Sequence, residues 1–421
     1  MQFIDGGVTA PIGFTANGIL NHIKQSRKTP DTALIYSETL CTAAGVFTQN
    51  RVKAECVKLT KAHIQDGKAQ AVIANSGNAN ACTGRQGYEN AEKTAVCVAK
   101  TLGIDANNVL VCSTGVIGQQ LPIEKITDNL KTLADGLSKQ GHETARQAIM
   151  TTDTQYKECA VQTVIGGKTV TLGTMAKGSG MIHINLGTML GFITTDCAIS
   201  AEMLKKALLE SAQGTYNCVS IDGDTSTNDT LLCLANGMAG NAEITSEGKD
   251  YDAFLAALNA LNTQMAMKIA ADGEGASHLI TCNVVGADTV QNARGLAKAV
   301  ICSNLVKAAF FGRDANWGRI LDAMGYSGFN FTPETTSVSF VSRNGAKRYF
   351  ADGAQNGGEE QSIRVFENGV PLNFDEDKAK AILSEEAVEI LVELKDGNAA
   401  GTAWGCDLTY DYVKINGDYR T

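Results

Sequence analysis

Lys177-Gly178-Ser179-Gly180-Met181-Ile182-His183-Ile184-Asn185-Leu186-Gly187-Thr188-Met189-Leu190 reads as a loop of small residues feeding a buried strand. Gly178 and Gly180 predict backbone angles closed to residues that carry a Cβ. From Thr188 onward the run Met189-Leu190-Gly191-Phe192-Ile193 is apolar, and Thr194-Thr195-Asp196 closes it. A Gly-Thr step at the mouth of such a strand carries chemistry of its own. The Thr188 hydroxyl stands next to a Gly187 carbonyl that no side chain shields. An N-to-O acyl shift and hydrolysis would cut the chain there. The new terminus would bear a hydroxyl nucleophile with its own α-amine as base. An α-amine titrates at about 7.7–8.0, suited to a base at neutral pH. Taken alone, the step also reads as an ordinary strand start whose threonine satisfies backbone groups. The flanking residues decide between the two.

With 421 residues the chain has room for a large core and for two or three lobes. Its 44% hydrophobic and 19% charged content is that of a soluble globular protein. Forty-three glycines against five prolines predict many tight turns and few proline-rich linkers. No apolar run reaches the length of a membrane helix, and the start from Met1 to Gly13 shows no secretory pattern, so a cytoplasmic protein is expected. The twelve cysteines stand singly, without a C-x-x-C pair, and with five histidines they form no metal-ligand pattern. Reduced, buried thiols are the expectation. A net charge of −9 argues against nucleic acid as a partner. Residues 1–187 hold 18 basic and 14 acidic residues, hence +4, and the remainder 18 and 31, hence −13. Two pieces cut at Gly187-Thr188 would attract each other.

Short strands are expected at Ile12 to Phe14, Asp31 to Tyr36 and Ala43 to Thr48. Buried strands are expected at Ala71 to Asn75 and Val109 to Cys112. Helices are expected over Tyr88 to Leu102, from Pro122 to about Leu137, from Ala201 behind a Ser200 cap to about Tyr216, over Asp252 to Ala271 and over Val290 to Ser303. Gly166-Gly167 between Glu158 to Ile165 and Lys168 to Met175 is the signature of a tight hairpin. Leu279 to Val285 is a strand. From Thr336 strands dominate, with one helix near Asp377 to Leu383. Strands and helices mixed without strict alternation predict an α+β arrangement of packed sheets with helices outside, rather than a doubly wound parallel sheet.

Small polar loops follow the buried strands at Ser76 to Gly84, Ser113 to Gly118 and Lys177 to Asn185, with a fourth at Asp222 to Asp229. None has the spacing of a phosphate-binding P-loop or a dinucleotide fingerprint. The Thr114-Gly115 step offers a hydroxyl and a backbone N–H to a tetrahedral oxyanion, and in isolation it reads as an ordinary turn. Asp272-Gly273-Glu274-Gly275 reads as a helix C-cap with Gly273 left-handed and Glu274 solvated. Cys82, Cys112 and Cys197 stand near these loops and are read as core cysteines.

In this order the loops resemble the ornithine acetyltransferase (glutamate N-acetyltransferase) family of arginine biosynthesis. The resemblance is carried by Asn75 to Gly84, Ser113 to Gly118, Thr151 to Thr154, Ala176 to Ile182, Thr188 to Leu190, Thr194 to Asp196, Asp222 to Asp229, Gly273 to Ala276, Asn316 to Ile320 and Asn416 to Thr421. It spans essentially the whole chain. It implies an αββα sandwich and a self-cleaving N-terminal-threonine enzyme, an architecture shared with certain aminopeptidases. It makes residues 1–187 an alpha chain and residues 188–421 a beta chain, cut between Gly187 and Thr188. Thr188 becomes the nucleophile and Thr114 and Gly115 the oxyanion hole. Thr151, Lys177, Thr188, Glu274, Asn416 and Thr421 fall on the substrate-binding positions.

Lys177 suits a substrate carboxylate and Glu274 an ammonium, which fits N2-acetylornithine. The implied reaction is a ping-pong transfer of acetyl from acetylornithine to glutamate. It needs no metal and no organic cofactor, with acetyl-CoA a second donor in bifunctional members. Alpha and beta chains are expected to associate, as a heterotetramer of two of each, with no nucleic acid and no membrane as partner. Three departures stand out. Gly187 replaces the usual alanine, Ile184-Asn185 stands where a Pro-Asn pair is usual, and His278 takes the place of a lysine. Two rival readings remain open: an amidase or aminopeptidase of the same cleaved architecture, and an uncut binding protein in which Thr188 is structural.

Overall fold

The apolar run after Thr188 becomes a strand because neighbouring strands bury it on both sides. In the computed structural model, which describes residues 1–183, 189–342 and 361–417, all six residues of Leu190–Thr195 are buried. Strands are numbered in chain order. β1 (Gln2–Ile4), β6 (Lys157–Ile165), β7 (Lys168–Lys177), β9 (Leu190–Thr195), β11 (Thr230–Ala235), β3 (Thr32–Phe47), β4 (Lys68–Asn75) and β5 (Val109–Ser113) lie side by side in that order, and β2 (Phe14–Ile19) adds to β3. The β4–β5 and β9–β11 pairs are parallel and the others antiparallel. The chain is therefore not doubly wound, as expected.

β3 is one strand of sixteen residues where two short runs were expected. Its register shifts between Tyr36 and Cys41. Before the shift it pairs with β2 and β4, and after it with β11 and the first residues of β4. The sheet is thereby divided into two halves. Alternation on the strands separates two cores. Ala33, Ile35, Val72, Ala74, Leu110 and Cys112 from one half share a core with Leu190, Phe192, Leu232 and Leu234 from the other. On the opposite face Leu34, Ala71, Ile73, Val109 and Val111 pack with Val57 and Leu59 of helix Glu55–His63 and with Ala91, Ala95 and Val98 of helix Gly84–Leu102. Across the far half, the Cys159 thiol of β6 reaches the Leu261 carbonyl of helix Lys249–Ala271. Helix, sheet, sheet, helix is the layer order, an αββα sandwich. This unit comprises Met1–Gly178, Asn185–Gln213 and Thr225–Met265.

The second unit comprises Ser179–Ile184, Gly214–Asp224 and Ala266–Thr421. β15 (Val370–Pro371), β14 (Gln361–Glu367), β13 (Ser337–Ser342), β16 (Ala387–Glu393), β12 (Leu279–Ala287) and β17 (Ala399–Cys406) form its sheet in that order. Helix Val290–Cys302 lies directly on β17: a Cβ on Gly401 would come within 2.5 Å of the Arg294 nitrogen. β8 (Ile182–His183) pairs with β10 (Ser220–Thr225) as a two-stranded ribbon, so half of the expected Asp222 loop is strand. The two units interleave along the chain.

The β6–β7 hairpin is as expected, with Gly166 and Gly167 both at positive φ. The expected helix from Pro122 is broken into Glu124–Thr127 and Leu130–Asp135. Between the pieces the Asn129 amide donates to the Lys125 carbonyl, the local competition for backbone groups that asparagine brings to a helix. Helices Glu55–His63, His142–Ala148, Asn304–Gly312, Trp317–Gly325 and Tyr410–Gly417 were not expected. No single helix among the described residues is long and apolar enough to cross a membrane.

Candidate active site

β4 and β5 run parallel and deliver their C-terminal loops to the same end of the sheet. Asn75 and Ser113 close these strands. The Ser113 hydroxyl donates to the Asn75 side chain at 2.7 Å, and the Asn75 amide donates to the Asn78 carbonyl at 3.0 Å. The Thr114 N–H donates to the Asn75 carbonyl at 2.9 Å. From a third loop the Asn228 amide donates to the carbonyls of Ala79 and Ser113, at 2.5 and 2.8 Å. Gly115 has φ +133°, and an added Cβ would come within 2.4 Å of the Gly77 carbonyl carbon. Only glycine fits there, so the Thr114-Gly115 turn is fixed by its neighbours. Among the described residues the Gly115 N–H has no acceptor.

Lys177 closes β7 and is buried, as is Thr114. Its ammonium donates to the Thr114 hydroxyl at 3.4 Å, which leaves the hydroxyl proton free to be given to an anion. A buried ammonium needs negative charge close by. Asp153 supplies it and at the same time ties the loop ends together. Its carboxylate accepts from the N–H of Thr151 at 3.0 Å, the N–H of Gly178 at 2.7 Å and Lys157 Nζ at 2.7 Å. Burial alone would raise the Asp153 pKa. The charges of Lys157 and Lys177 and the bonds from Lys157 and Thr151 outweigh it and hold the carboxyl ionised, below the usual carboxylate range. Thr151, Lys177 and Thr114 are thus brought together around Asp153. Asp153 and Lys157 carry the arrangement and were assigned no role from sequence. Their spacing of four looks like a helical pair, and the segment is not helical.

In the second unit Glu274 is buried, not solvated, and Gly275 rather than Gly273 is the left-handed residue. The reason is a contact on each side. The Asn416 amide donates to Glu274 Oε2 at 2.7 Å, and the Glu274 N–H donates to the Ser179 carbonyl at 2.9 Å. A Cβ on Gly180 would stand 2.3 Å from the Glu274 carboxyl carbon. Gly180 is therefore needed for close approach and not for its backbone angles, since neither Gly178 nor Gly180 has positive φ. Asp222 accepts from the N–H groups of Met181 at 2.6 Å and Ile182 at 2.8 Å, which fixes the chain ahead of the Gly187-Thr188 step. His278 is buried, and its N–H and ring both meet Asp407. The departure at this position therefore sits inside the fold rather than on the surface.

Gly187, Thr188 and Thr421 lie outside the described residues. Cys112 and Cys197 are buried, and burial pushes both thiols up, Cys197 to about 12, so neither offers a thiolate at neutral pH. Cys82 is exposed, against expectation. His183 is driven down to about 4 by burial and by Lys298. Among the described residues no cluster of His, Cys, Asp and Glu could hold a metal ion.

A sequence model of the ArgJ family matches residues 15–421. The arginine biosynthesis bifunctional protein ArgJ of Caldanaerobacter subterraneus subsp. tengcongensis is 48% identical over 421 residues, spanning 100% of both chains. That of Symbiobacterium thermophilum is 49% identical over 422 residues, again 100% of each. Among solved structures, the arginine biosynthesis bifunctional protein argJ of Bacillus halodurans is 41% identical, covering 54% of this chain and 97% of that chain with a TM-score of 0.48. Matched along nearly its whole length by the family model, and nearly half identical to full-length relatives, the chain belongs to the ArgJ family.

Proposed function

We propose that this chain cuts itself between Gly187 and Thr188 and that the resulting enzyme transfers acetyl from N2-acetylornithine to glutamate through an acetyl-threonine intermediate. The observation that carries the reading is the Thr114-Gly115 turn: a hydroxyl anchored by a buried lysine beside an N–H that has no acceptor among the described residues. Two donors held rigid and unspent are what a developing oxyanion needs, and one such donor is worth about 10²–10³ in rate. Thr188 attacks the acetyl carbonyl, its α-amine takes the hydroxyl proton, and ornithine leaves. Glutamate then takes the acetyl group from Thr188. Lys177 receives the α-carboxylate common to both substrates. Glu274, oriented by Asn416, receives the side-chain ammonium that only ornithine presents. Thr151 and Thr421 complete the substrate contacts.

Membership in the ArgJ family favours transfer over the amidase or aminopeptidase reading. The word bifunctional in the relatives' names is the reason to assay acetyl-CoA as a second donor. The working form is two alpha and two beta chains in the cytoplasm, with no metal or organic cofactor.

The test is a denaturing gel followed by a transfer assay. Wild type should give two bands and convert acetylornithine and glutamate to ornithine and acetylglutamate. Thr188→Ala should stay a single chain of 44.4 kDa and be inactive. Two bands from Thr188→Ala, or free acetate as the main product of wild type, would sink the proposal.

A further inference from the structure

Asp229 stands immediately before β11. In the sheet Thr230 pairs with Leu190 and Leu190 with Lys177, and the Thr230 N–H donates to the Met189 carbonyl at 2.8 Å. The register of three adjacent strands therefore sets Asp229 beside Met189, at the strand mouth where β7 ends in Lys177. Asp229 is 2% exposed, and its Oδ2 is buried without a hydrogen-bond partner among the described residues. Around it are Lys177 from β7, the hydroxyls of Thr48 and Ser226 and the Met189 amide. Beyond Lys177 stand Asp153 and Lys157. Burial pushes the carboxyl well above its ordinary range, against the pull of Ser226, Lys177, Met189 and Thr48. A buried polar atom without a donor is costly and rare, and it calls for a reason.

Self-cleavage supplies one. Thr188 Oγ attacks the Gly187 carbonyl carbon, the C–O bond forms, the C–N bond to Thr188 breaks, and the hydroxyl proton passes to the freed nitrogen. Water then hydrolyses the ester, returning the hydroxyl and leaving a Gly187 carboxylate and a new α-amine. In any chain the nitrogens of successive residues are three bonds apart, within about 4 Å of each other. A carboxyl beside the Met189 amide is thus in range of the amine that the cut creates. We propose that Asp229 is the partner of the α-ammonium formed on Thr188, its Oδ2 without a donor among the described residues until the new terminus satisfies it. This rests on the self-cleavage reading.

The consequence is a control on the general base. A carboxylate beside an amine raises the amine pKa, so Asp229 sets the pH at which the Thr188 amine is free to take a proton. Lys177 acts in the opposite sense and is present in wild type and variant alike, so their difference isolates Asp229.

The experiment compares wild type with Asp229→Asn, which keeps the shape and removes the charge. Wild type is checked first: a single band or no acetyl transfer would be a failure of the underlying reading. Asp229→Asn should still cut, because the ammonium arises only after the cut. The acid limb of its kcat/KM profile for acetylornithine should move to lower pH by about one unit. An uncut Asp229→Asn, or a cut one with an unmoved acid limb, overturns the proposal. If the variant is not recovered folded, a crystal structure of cut wild type decides. Asp229 Oδ2 should lie about 2.7–2.9 Å from the Thr188 nitrogen, and an Oδ2 bonded elsewhere or still without a donor overturns it.

Discussion

The Asp153 carboxylate accepts from the backbone of Thr151 and Gly178 and from Lys157, so one side chain fixes both segments that carry the expected substrate contacts. The side chains of Asp153 and Lys157 are both fully removed from solvent. Such a pair adds little net stability when intact, yet losing one partner costs about 3–5 kcal/mol because the other charge is stranded. Asp153→Asn should therefore lower the free energy of unfolding by that order at pH 7. Its pH dependence has a definite sign. The folded-state pKa is depressed, so the ionised form is the one that folding favours. That contribution is complete above the unfolded carboxylate value of about 3.9 and is lost as pH falls through the lower folded value. Urea unfolding at pH 7 and pH 3 should show wild type losing more stability on acidification than Asp153→Asn. Equal losses would remove Asp153 from this role.

Between Lys177 and His183 the short connecting segment depends on contacts rather than on backbone freedom. Gly180 presses on the Glu274 carboxylate. In Gly180→Ala the new Cβ meets the far end of a flexible side chain, so the fold should survive while the carboxylate is displaced. KM for acetylornithine should rise roughly tenfold, the order expected when one charge-assisted contact is impaired, with chain cutting unchanged. An unchanged KM would mean that Glu274 is not at the ammonium. The sequence made the elements here readable to different depths. The strand after Thr188 and the Gly166-Gly167 hairpin are local signals, an apolar run and a turn that only glycine enters easily, and both appear. The burial of Glu274 was not readable, because Asn416 lies 142 residues away. Helix His142–Ala148 carries little apolar periodicity of its own. Its Ala145 and Ala148 are small and become core residues only through the strands they meet. Asp153 was in plain view within Thr151 to Thr154, and Thr151 and Lys157 lie close to it in sequence, but its bond from Gly178, 25 residues on, comes from tertiary folding.

At the scale of the whole chain, the order of strands bears on how cut halves would stay together. Cutting at Gly187-Thr188 assigns β1, β6, β7, β3, β4 and β5 to the alpha chain and β9 and β11 to the beta chain. In the sheet β9 and β11 lie between β7 and β3. The beta chain would thus supply two inner strands, bonded on both outer sides to strands of the alpha chain. The opposite charges read from the sequence, +4 and −13, act in addition but at longer range. Salt separates the two contributions. At 1 M ionic strength the screening length is about 3 Å, so attraction between solvated surfaces is largely lost. Backbone ladders with buried side chains such as Phe192 and Leu232 are not weakened in that way. The cut chains should therefore co-elute on gel filtration in 1 M sodium chloride and separate only in denaturant, at concentrations where far-UV circular dichroism reports loss of the sheet. Separation in salt with the circular dichroism signal intact would mean that charge, and not the interleaved sheet, holds the two chains.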